Sequence, residues 1–311
     1  MKRTILLVAI LSTVSCFAAL CPARAFGEEV SGLILSDVME ARGVSLGDAQ
    51  AGLNDASAAA VNPAAAAAAK MRRIGAFVQP GPLGKMTGDL SYVHPITLGV
   101  ISAGLAYRTL GTMDFATSDG TQRSVDADTD ILVRAGFGMP LAGFKVGASV
   151  KYLSSSLVET YSASAVMGDL GVGKDLPIEG ASVGVAVRNV GTGLKYHLTT
   201  EKLPMEVRGG GAYAAKAGDD IDVLVAADGI YGMQSKTTGA GIGLEGTWKK
   251  MVSLRAGYCV GNDLKSIVGG VGFAFGRGAR LDYSIEPMGS EFGMSHGLSL
   301  SYDFKSLGGG S

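Results

Sequence analysis

Apolar and polar side chains alternate with a period of two over most of this chain, from about Arg72 to its C-terminal end. In the stretch 145–152 every second residue is apolar, whereas the residues between them are Lys, Gly, Ser and Lys. The same alternation occurs at 252–260, 281–286 and 298–304. Successive side chains of a β-strand point to opposite faces, so each stretch predicts a strand with one apolar and one polar face.

Fourteen such windows divide the chain between residues 72 and 304, and many are joined by tight turns rich in Gly, Asp or Pro. They lie near 72–79, 87–94, 97–107, 129–139, 143–153, 162–174, 179–188, 205–215, 220–229, 237–248, 252–260, 265–276, 279–285 and 294–304. A tilted strand of about 9–11 residues crosses a bilayer, and an even number of antiparallel strands with short turns is typical of membrane barrels. The pattern predicts an all-β fold, a transmembrane antiparallel β-barrel of about 14 strands over residues 72–304, followed by a C-terminal tail, residues 305–311.

The polar faces of these strands indicate which side of the sheet faces outward. Among many Gly, Ser and Ala residues they carry ten charges: Arg134, Lys145, Lys151, Arg188, Glu206, Arg208, Arg255, Arg280, Asp282 and Asp303. The alternative is a soluble β-sandwich or lipocalin-like barrel, which turns its apolar face inward. Soluble surfaces usually carry more Lys and Glu, and a soluble barrel this wide could not fill its interior with side chains. The polar faces therefore favour a wet lumen, in which opposite charges can pair across the bore.

The overall composition narrows the class further. Of 311 residues, 47 are Gly, 47% are apolar and 18% are charged, and the formal net charge is −1. This chain is too apolar and too weakly charged to be disordered, and its Gly residues follow no collagen-like repeat. Because the net charge is close to zero, the chain lacks the basic surface by which proteins bind nucleic acid, and no nucleic-acid partner is expected.

Residues 1–25 have the pattern of a secretory signal peptide. The basic start Lys2-Arg3 precedes an apolar stretch from Ile5 to Leu20 and the small-x-small end Ala23-Arg24-Ala25. A lipoprotein signal cut before one of its two cysteines and a retained helical anchor are the alternatives. After cleavage Cys259 is the one cysteine left, so no internal disulfide is expected.

The segment between the signal peptide and the first strand, residues 26–71, differs in composition from the strands. It is rich in small residues, which let chain segments pack closely, and its alanine run favours a short helix. Asn62-Pro63 is expected to form a turn, and the Asp55 carboxylate is placed to accept hydrogen bonds from nearby backbone N–H groups. An Ala-rich linker is the alternative for this segment.

Three motifs in this segment carry a family resemblance. They are Ala41-Arg42-Gly43-Val44-Ser45-Leu46-Gly47-Asp48-Ala49, Asp55-Ala56-Ser57-Ala58 and Asn62-Pro63-Ala64. They resemble the A-R-x-x-x-L/M-G-x-A, D-A-S-A and N-P-A motifs near the N-terminus of PorV/PorQ-type proteins, a branch of the FadL-like outer-membrane barrels. Stretches such as 187–193, 254–258 and 298–304 are also similar to that family. The resemblance implies a fourteen-stranded barrel with residues 26–71 in the lumen as a hatch, whose turns are Asp55, Ala56, Ser57 and Asn62, Pro63, Ala64.

Motifs that carry chemistry in other proteins do not suit their surroundings in this chain. Residues 180–184 match the G-x-S-x-G nucleophile elbow, which needs a strand-to-helix turn, but they lie within an alternating strand. Residues 241–246 match G-x-G-x-x-G, but no helix follows them. The histidines His94, His197 and His296 are far apart in sequence. We therefore expect no catalytic residue, no metal site, no cofactor and no enzyme activity.

Three functions agree with a barrel in the outer membrane of a bacterium, where membrane lipid would surround it. The PorV/PorQ resemblance implies a partner-binding barrel that assists protein export or surface attachment, with secretion-system or cargo proteins as partners. The wider FadL-like resemblance implies a conduit for a hydrophobic ligand, with a movable hatch. A structural barrel or simple pore is the third alternative.

These functions predict different structures. A conduit should have an apolar pocket around the hatch and a gap in the barrel wall. A scaffold for partners should have a plugged bore and an exposed loop surface. The two long loops, near 108–128 and 189–204, are expected on one side of the barrel.

Overall fold

The alternating stretches close into a ring of strands in the computed structural model. The structure describes residues 31–116, 122–158, 161–196, 199–261, 264–276, 278–288 and 293–304. The predicted signal peptide, residues 1–25, and the predicted tail, residues 305–311, lie outside these ranges. The predicted fold class is confirmed, because fourteen antiparallel strands form a closed barrel.

Every predicted window overlaps one barrel strand, with ends that differ by a few residues. In chain order the strands are β1 (Arg72–Pro80), β2 (Met86–Ile96), β3 (Gly99–Thr109), β4 (Thr112–Ala116), β5 (Gln122–Asp126), β6 (Asp128–Leu141), β7 (Phe144–Leu157), β8 (Tyr161–Asp175), β9 (Ala181–Gly191), β10 (Leu194–Tyr196), β11 (Thr199–Glu201), β12 (Glu206–Lys216), β13 (Ile221–Gly232), β14 (Thr238–Trp248), β15 (Val252–Gly261), β16 (Leu264–Phe275), β17 (Ala279–Pro287) and β18 (Met294–Phe304). The pairs β4–β5 and β10–β11 form separate hairpins, and the remaining strands form the barrel. β1 closes the ring by pairing with β18, with Arg72 opposite Phe304.

Because the strands are antiparallel, their connections alternate between the two ends of the barrel. At one end, the turn end, β1 begins and β18 ends, and connections such as 97–98 and 142–143 are short. At the opposite end, the loop end, β1 is joined to β2 through the short 3-10 helix η4 (Pro82–Gly84). Both hairpins also lie at the loop end, within the connections 110–127 and 192–205. The expectation that the two long loops share one side is confirmed.

The apolar faces of the strands point away from the barrel axis. Val150 is 55% exposed and Leu254 is 66% exposed, whereas their chain neighbours Lys151 and Arg255 are 3% and 5% exposed. An apolar band on the outside and charged groups on the inside are what a barrel surrounded by hydrocarbon requires. Closure of the ring also pairs the backbone N–H and C=O groups, which would otherwise be unsatisfied in lipid.

Residues 31–69, called the inner segment, pack inside the ring before β1 begins. They form η1 (Leu33–Ser36), α1 (Ala41–Ser45), η2 (Ala56–Ala60) and η3 (Pro63–Ala68), where η denotes a 3-10 helix. The Asp55 carboxylate accepts a hydrogen bond from the Ser57 N–H at 2.9 Å, and the Asn62 side-chain oxygen accepts one from the Ala64 N–H at 3.1 Å. These side chains begin η2 and η3 by satisfying N–H groups that have no partner within the helix. No helix in the described ranges has the length and apolarity needed to cross a membrane.

Candidate functional site

The inner segment approaches the barrel wall with its backbone, because the wall presents glycine where the two meet. A Cβ atom at Gly138 would lie 2.9 Å from the Pro63 carbonyl oxygen, and one at Gly270 would lie 2.6 Å from the Ser45 Cβ. Similar close contacts with the inner segment occur at Gly147, Gly171, Gly184, Gly241, Gly243 and Gly257. Glycine within a strand permits this approach of a second backbone. These glycines, called the glycine seal, extend round the wall from β6 to β16.

A chain of charged groups joins the inner segment to strands β14, β15 and β17. Arg42 of α1 donates hydrogen bonds to both carboxylate oxygens of Glu245, at 2.9 and 3.1 Å, and to Asp55 at 2.9 Å. Glu245 also pairs with Arg255, whose guanidinium lies 2.8 Å from Asp282. Removing one member of such a buried network leaves charge that the remaining groups compensate less well. The network therefore holds α1 against this part of the wall.

A second anchor holds the middle of the inner segment. The Asp228 carboxylate of β13 accepts hydrogen bonds from the Gln50 N–H at 2.8 Å and the Ala51 N–H at 2.7 Å. Beside it, the Arg208 guanidinium donates to the Asp48 carboxylate at 2.7 Å. Charge-assisted hydrogen bonds of this kind are stronger than those between neutral groups. They fix the turn that connects α1 to η2.

Burial and nearby arginines act in opposite directions on the acidic groups of the inner segment. Burial raises the pKa of Asp55, but Arg42, Arg73 and the hydrogen bonds from Ser57 outweigh it and lower the pKa to about 2. Burial also raises the pKa of Glu40, and the same arginines do not reverse that shift. Because the pKa of Asp55 is lower in the folded protein than its ordinary value, the ionised carboxylate stabilises the folded state at any pH above that ordinary value. This stabilisation is lost as the pH falls through about 2. The Arg42–Asp55 pair therefore persists in acid.

A β-bulge turns two consecutive side chains of β9 into the bore. The pairing of β8 with β9 shifts by one residue, so that Arg188 and Asn189 together stand opposite Asp169. Asn189 has a φ of 61°, a left-handed conformation that Asn tolerates better than most residues. Its N–H donates to Asp169 at 2.8 Å, and Lys151 lies 2.8 Å from the same carboxylate. Arg188 donates to the Leu35 carbonyl at 3.2 Å, so the bulge also anchors η1.

The ten charges of the polar strand faces all have charged partners in the structure. The pairs are Arg134 with Asp89, Lys145 with Asp175, Lys151 with Asp169, Arg188 with Glu206, Arg208 with Asp48, Arg255 with Glu245 and Asp282, Arg280 with Asp282, and Asp303 with Arg73. The partners stand on the same strand, one or two strands away, or on the inner segment. Opposite charges therefore meet along the wall rather than across an open bore, because the inner segment fills the space between opposite walls.

A cavity lies between the inner segment and the part of the wall that runs from β18 through β1, β2, β3, β6, β7 and β8 to β9. Its volume is about 90 Å³. Leu35 and Val61 of the inner segment and Phe77 of the wall form apolar parts of its lining, and charged side chains such as Arg134 together with serines such as Ser91 form much of the remainder. Apolar surface combined with polar groups that can orient a ligand is the usual lining of a site for small molecules.

The inner face of the wall is not polar throughout, which corrects the sequence-based expectation of a polar lumen. Near the loop end Leu132 and Leu153 point inward, are 3% and 0% exposed, and pack around Ile34 and Leu35 of η1. The neighbouring apolar pair Tyr152-Leu153 is the sequence signal for this cluster, because one of two consecutive strand residues must face inward. Alternation alone predicts a polar residue at every inward position, so it does not predict this cluster.

The two glycine-containing motifs contribute to the contact between wall and inner segment. In 180–184, the Ser182 hydroxyl donates a hydrogen bond to the Gly52 carbonyl at 2.7 Å. In 241–246, the first two glycines belong to the glycine seal. The structure therefore gives both motifs a packing role.

The histidines that the structure describes are each paired with a tyrosine. The ring Nδ1 of His94 lies 2.8 Å from the Tyr92 hydroxyl, and that of His296 lies 2.7 Å from the Tyr283 hydroxyl. His197 lies outside the described residues. Within the described ranges, no group of three His, Cys, Asp or Glu side chains is placed to hold a metal ion.

Replacing both Asn62 and Pro63 by alanine is expected to loosen the inner segment while the barrel still assembles. The buried Asn62 amide donates to the Ala51 carbonyl at 2.9 Å and its oxygen begins η3. Losing the cap and the buried hydrogen bond should cost about 1–3 kcal/mol. Proteolysis should then cut the inner segment faster, with unchanged heat-modifiable migration of the barrel on gels. A parallel loss of that migration would instead make the segment a folding element of the barrel.

Solved structures of other proteins share the fold of this chain. No protein-family model matches the sequence, and a search of curated proteins finds no match. The toluene transporter TodX of Pseudomonas putida is similar with a TM-score of 0.60 at 16% identity, over 90% of this chain and 99% of TodX. The toluene transporter TbuX of Ralstonia pickettii is similar with a TM-score of 0.60 at 14% identity, over 86% of this chain and 98% of TbuX. The chain thus shares the β-barrel fold of these two transporters.

Proposed function

We propose that this protein is a conduit for small hydrophobic molecules across the bacterial outer membrane. It would reach that membrane after removal of the predicted signal peptide. The observation that carries the proposal is the partly apolar cavity between the inner segment and the wall of a barrel with an apolar outer face. The similar barrels TodX and TbuX are described as toluene transporters, which supports the same class of cargo. The inner segment then acts as the hatch that closes the bore at rest.

The cavity suits a compact apolar molecule. Such a molecule would contact Leu35, Val61 and Phe77 and would release water from their surfaces, which favours binding. The cavity volume of about 90 Å³ is smaller than the roughly 150 Å³ of an engineered apolar cavity that binds benzene in another protein. We therefore propose that a monoaromatic molecule enters after a small adjustment of the inner segment.

The described strands leave no gap in the wall, contrary to the expectation for a conduit, because each barrel strand pairs with both neighbours. Opening the ring sideways would expose unpaired backbone groups to hydrocarbon, which is costly. We therefore propose that cargo moves along the barrel axis, between the inner segment and the wall.

A role in protein export or surface attachment, which the PorV/PorQ resemblance implies, stays a prediction. The hairpins β4–β5 and β10–β11 at the loop end are the surface that a secretion or cargo protein would contact. A secretion protein that remains bound after mild detergent extraction would favour this role over the conduit. Bound lipid or hydrocarbon would favour the conduit.

Replacing Ser91 by tryptophan is expected to block the conduit. Ser91 lines the cavity, and the adjacent Gly75 has no side chain to oppose an indole ring. Filling the cavity should lower uptake of radiolabelled toluene, in cells that carry the variant in the outer membrane, by roughly tenfold, which corresponds to about 1.4 kcal/mol on the barrier.

The control for this experiment is Leu90→Trp, which places the same side chain on the outer face of the same strand. Leu90 is 55% exposed, so uptake should stay at the level of the unchanged protein. The conduit is wrong if the unchanged protein takes up no more toluene than cells without it. It is also wrong if Ser91→Trp assembles normally and transports at the full rate.

A further inference from the structure

The inner segment is attached to the wall in two different ways around the ring. From β6 to β16 its backbone lies against the glycine seal, and Asp228 binds its N–H groups directly. On β1, β2 and β3 the contacts are made by side chains, such as the 3.6 Å ion pair between Arg73 and Asp55. The cavity borders this second part of the wall and extends from it towards β6–β9. Open space between the inner segment and the wall is therefore present on the β1–β3 side, where no glycine contact among the described residues closes it.

On the β1–β3 side, a small cluster of apolar side chains borders the cavity towards the turn end. Val93 of β2 and Val100 of β3 are 5% and 4% exposed and pack with Ala66, with Ala56, Ala59 and Ala69 beside them. Along β2, Ser91 and Val93 line the cavity. Val100 lies beyond them, near the turn end, since it pairs with Pro95 close to the end of β2. The cluster thus separates the cavity from the turn end of the barrel.

We infer that this Val93–Val100–Ala66 cluster is the gate through which the cavity empties towards the turn end. The inference rests on the proposed conduit and adds the position and the residues of its exit. The valines meet the alanines of η2 and η3 through methyl groups, so parting them breaks dispersion contacts only. Opening the glycine seal would instead separate the closely packed backbones of the inner segment and the wall. It would also break the two hydrogen bonds that Asp228 accepts, which costs more free energy.

An apolar constriction of this kind selects its cargo. Narrow apolar passages exclude water and ions by dewetting, while an apolar molecule passes without losing a hydration shell. The gate should therefore pass hydrocarbons and retain ions, and its width should be set by the valine side chains. With the gate closed, small polar solutes should not pass through the bore.

The experiment widens the gate with the double variant V93A/V100A in planar bilayers and proteoliposomes. Ion conductance and toluene flux should both rise severalfold over the unchanged protein. The control V133A/V150A removes the same atoms from the outer face, where Val133 and Val150 are 47% and 55% exposed, and should change neither readout. Heat-modifiable migration on gels confirms that each variant is assembled.

A third variant tests the alternative path. Leu46→Ala shortens a fully buried side chain that packs in one cluster with Ala212 of β12 and Ala226 of β13, within the sealed part of the wall. A rise in conductance for Leu46→Ala as large as that for V93A/V100A would place the path on the sealed side and overturn the inference, as would unchanged conductance in V93A/V100A. If the unchanged protein carries no toluene, the conduit fails, and the conductance of V93A/V100A still decides whether the cluster is a gate.

Discussion

Replacing Arg42 by alanine should release the inner segment from the barrel wall while the fourteen strands stay assembled. Arg42 is the group that links the carboxylates of Asp55 and Glu245, and its side chain is 12% exposed. Without it, Glu245 keeps its ion pair with Arg255, whereas Asp55 keeps the hydrogen bond from the Ser57 N–H and the longer ion pair with Arg73. Part of the inner segment then loses its strongest attachment to β14.

The expected cost is about 3 kcal/mol, because hydrogen bonds to charged groups contribute about 1.5–3 kcal/mol each and Glu245 stays partly compensated. That free energy corresponds to about a 150-fold shift from the docked to the released inner segment. Limited proteolysis should therefore cut residues 31–69 much faster in the variant, and its ion conductance should rise. Heat-modifiable migration should be that of the unchanged protein.

The matched control is Arg72→Ala, which removes an exposed arginine at the start of β1. It should leave proteolysis and conductance unchanged, since surface charges contribute little to stability. Equal proteolysis rates for Arg42→Ala and the unchanged protein would show that the glycine seal alone holds the segment. Loss of barrel assembly in Arg42→Ala would show that α1 is needed to form the wall.

Replacing Gly257 by valine should displace the inner segment by steric contact. A Cβ at this position of β15 would lie 2.6 Å from the Leu46 carbonyl carbon and 2.9 Å from the Ser45 carbonyl oxygen. Both atoms belong to the backbone, so they cannot move aside as the end of a flexible side chain does. Overpacking of this kind costs about 1–3 kcal/mol in an ordinary core. We expect the turn after α1 to leave the wall.

The control for this variant is Gly246→Val on the adjacent strand β14. A Cβ there would meet no atom within 4 Å, and Gly246 stands opposite the exposed Leu254. Both variants add the same side chain to the same kind of strand position, on opposite faces of the wall. Protease access to residues 45–52 should rise in Gly257→Val alone, and equal access in the two variants would contradict the glycine seal.

The two variants test the same docking by different physical means. Arg42→Ala removes attraction and Gly257→Val adds repulsion, yet both should open the bore. If a freed inner segment also raises toluene flux, the segment acts as the hatch of the proposed conduit. If conductance rises and toluene flux does not, the cavity of the docked state is needed to recognise the cargo.

Much of the barrel can be predicted from neighbouring residues, because alternation reports the two faces of a strand directly. Stretches such as 252–260 and 298–304 have one face that suits lipid and one that suits an enclosed polar space. The turns that begin η2 and η3 can also be predicted from neighbouring residues, since Asp55 and Asn62 accept hydrogen bonds from N–H groups two residues away. Strand number, strand orientation and these caps therefore follow from short-range chemistry.

The contacts that make the bore a candidate site join residues far apart in the chain. Arg42 and Glu245 are separated by 203 residues, and the residues next to each of them in sequence do not indicate that the two form an ion pair. The apolar cluster around Leu153, the β8–β9 bulge and the β1–β3 side of the cavity arise in the same way. Each depends on the register of paired strands and on the path of the inner segment through the ring, which are established only when the barrel closes.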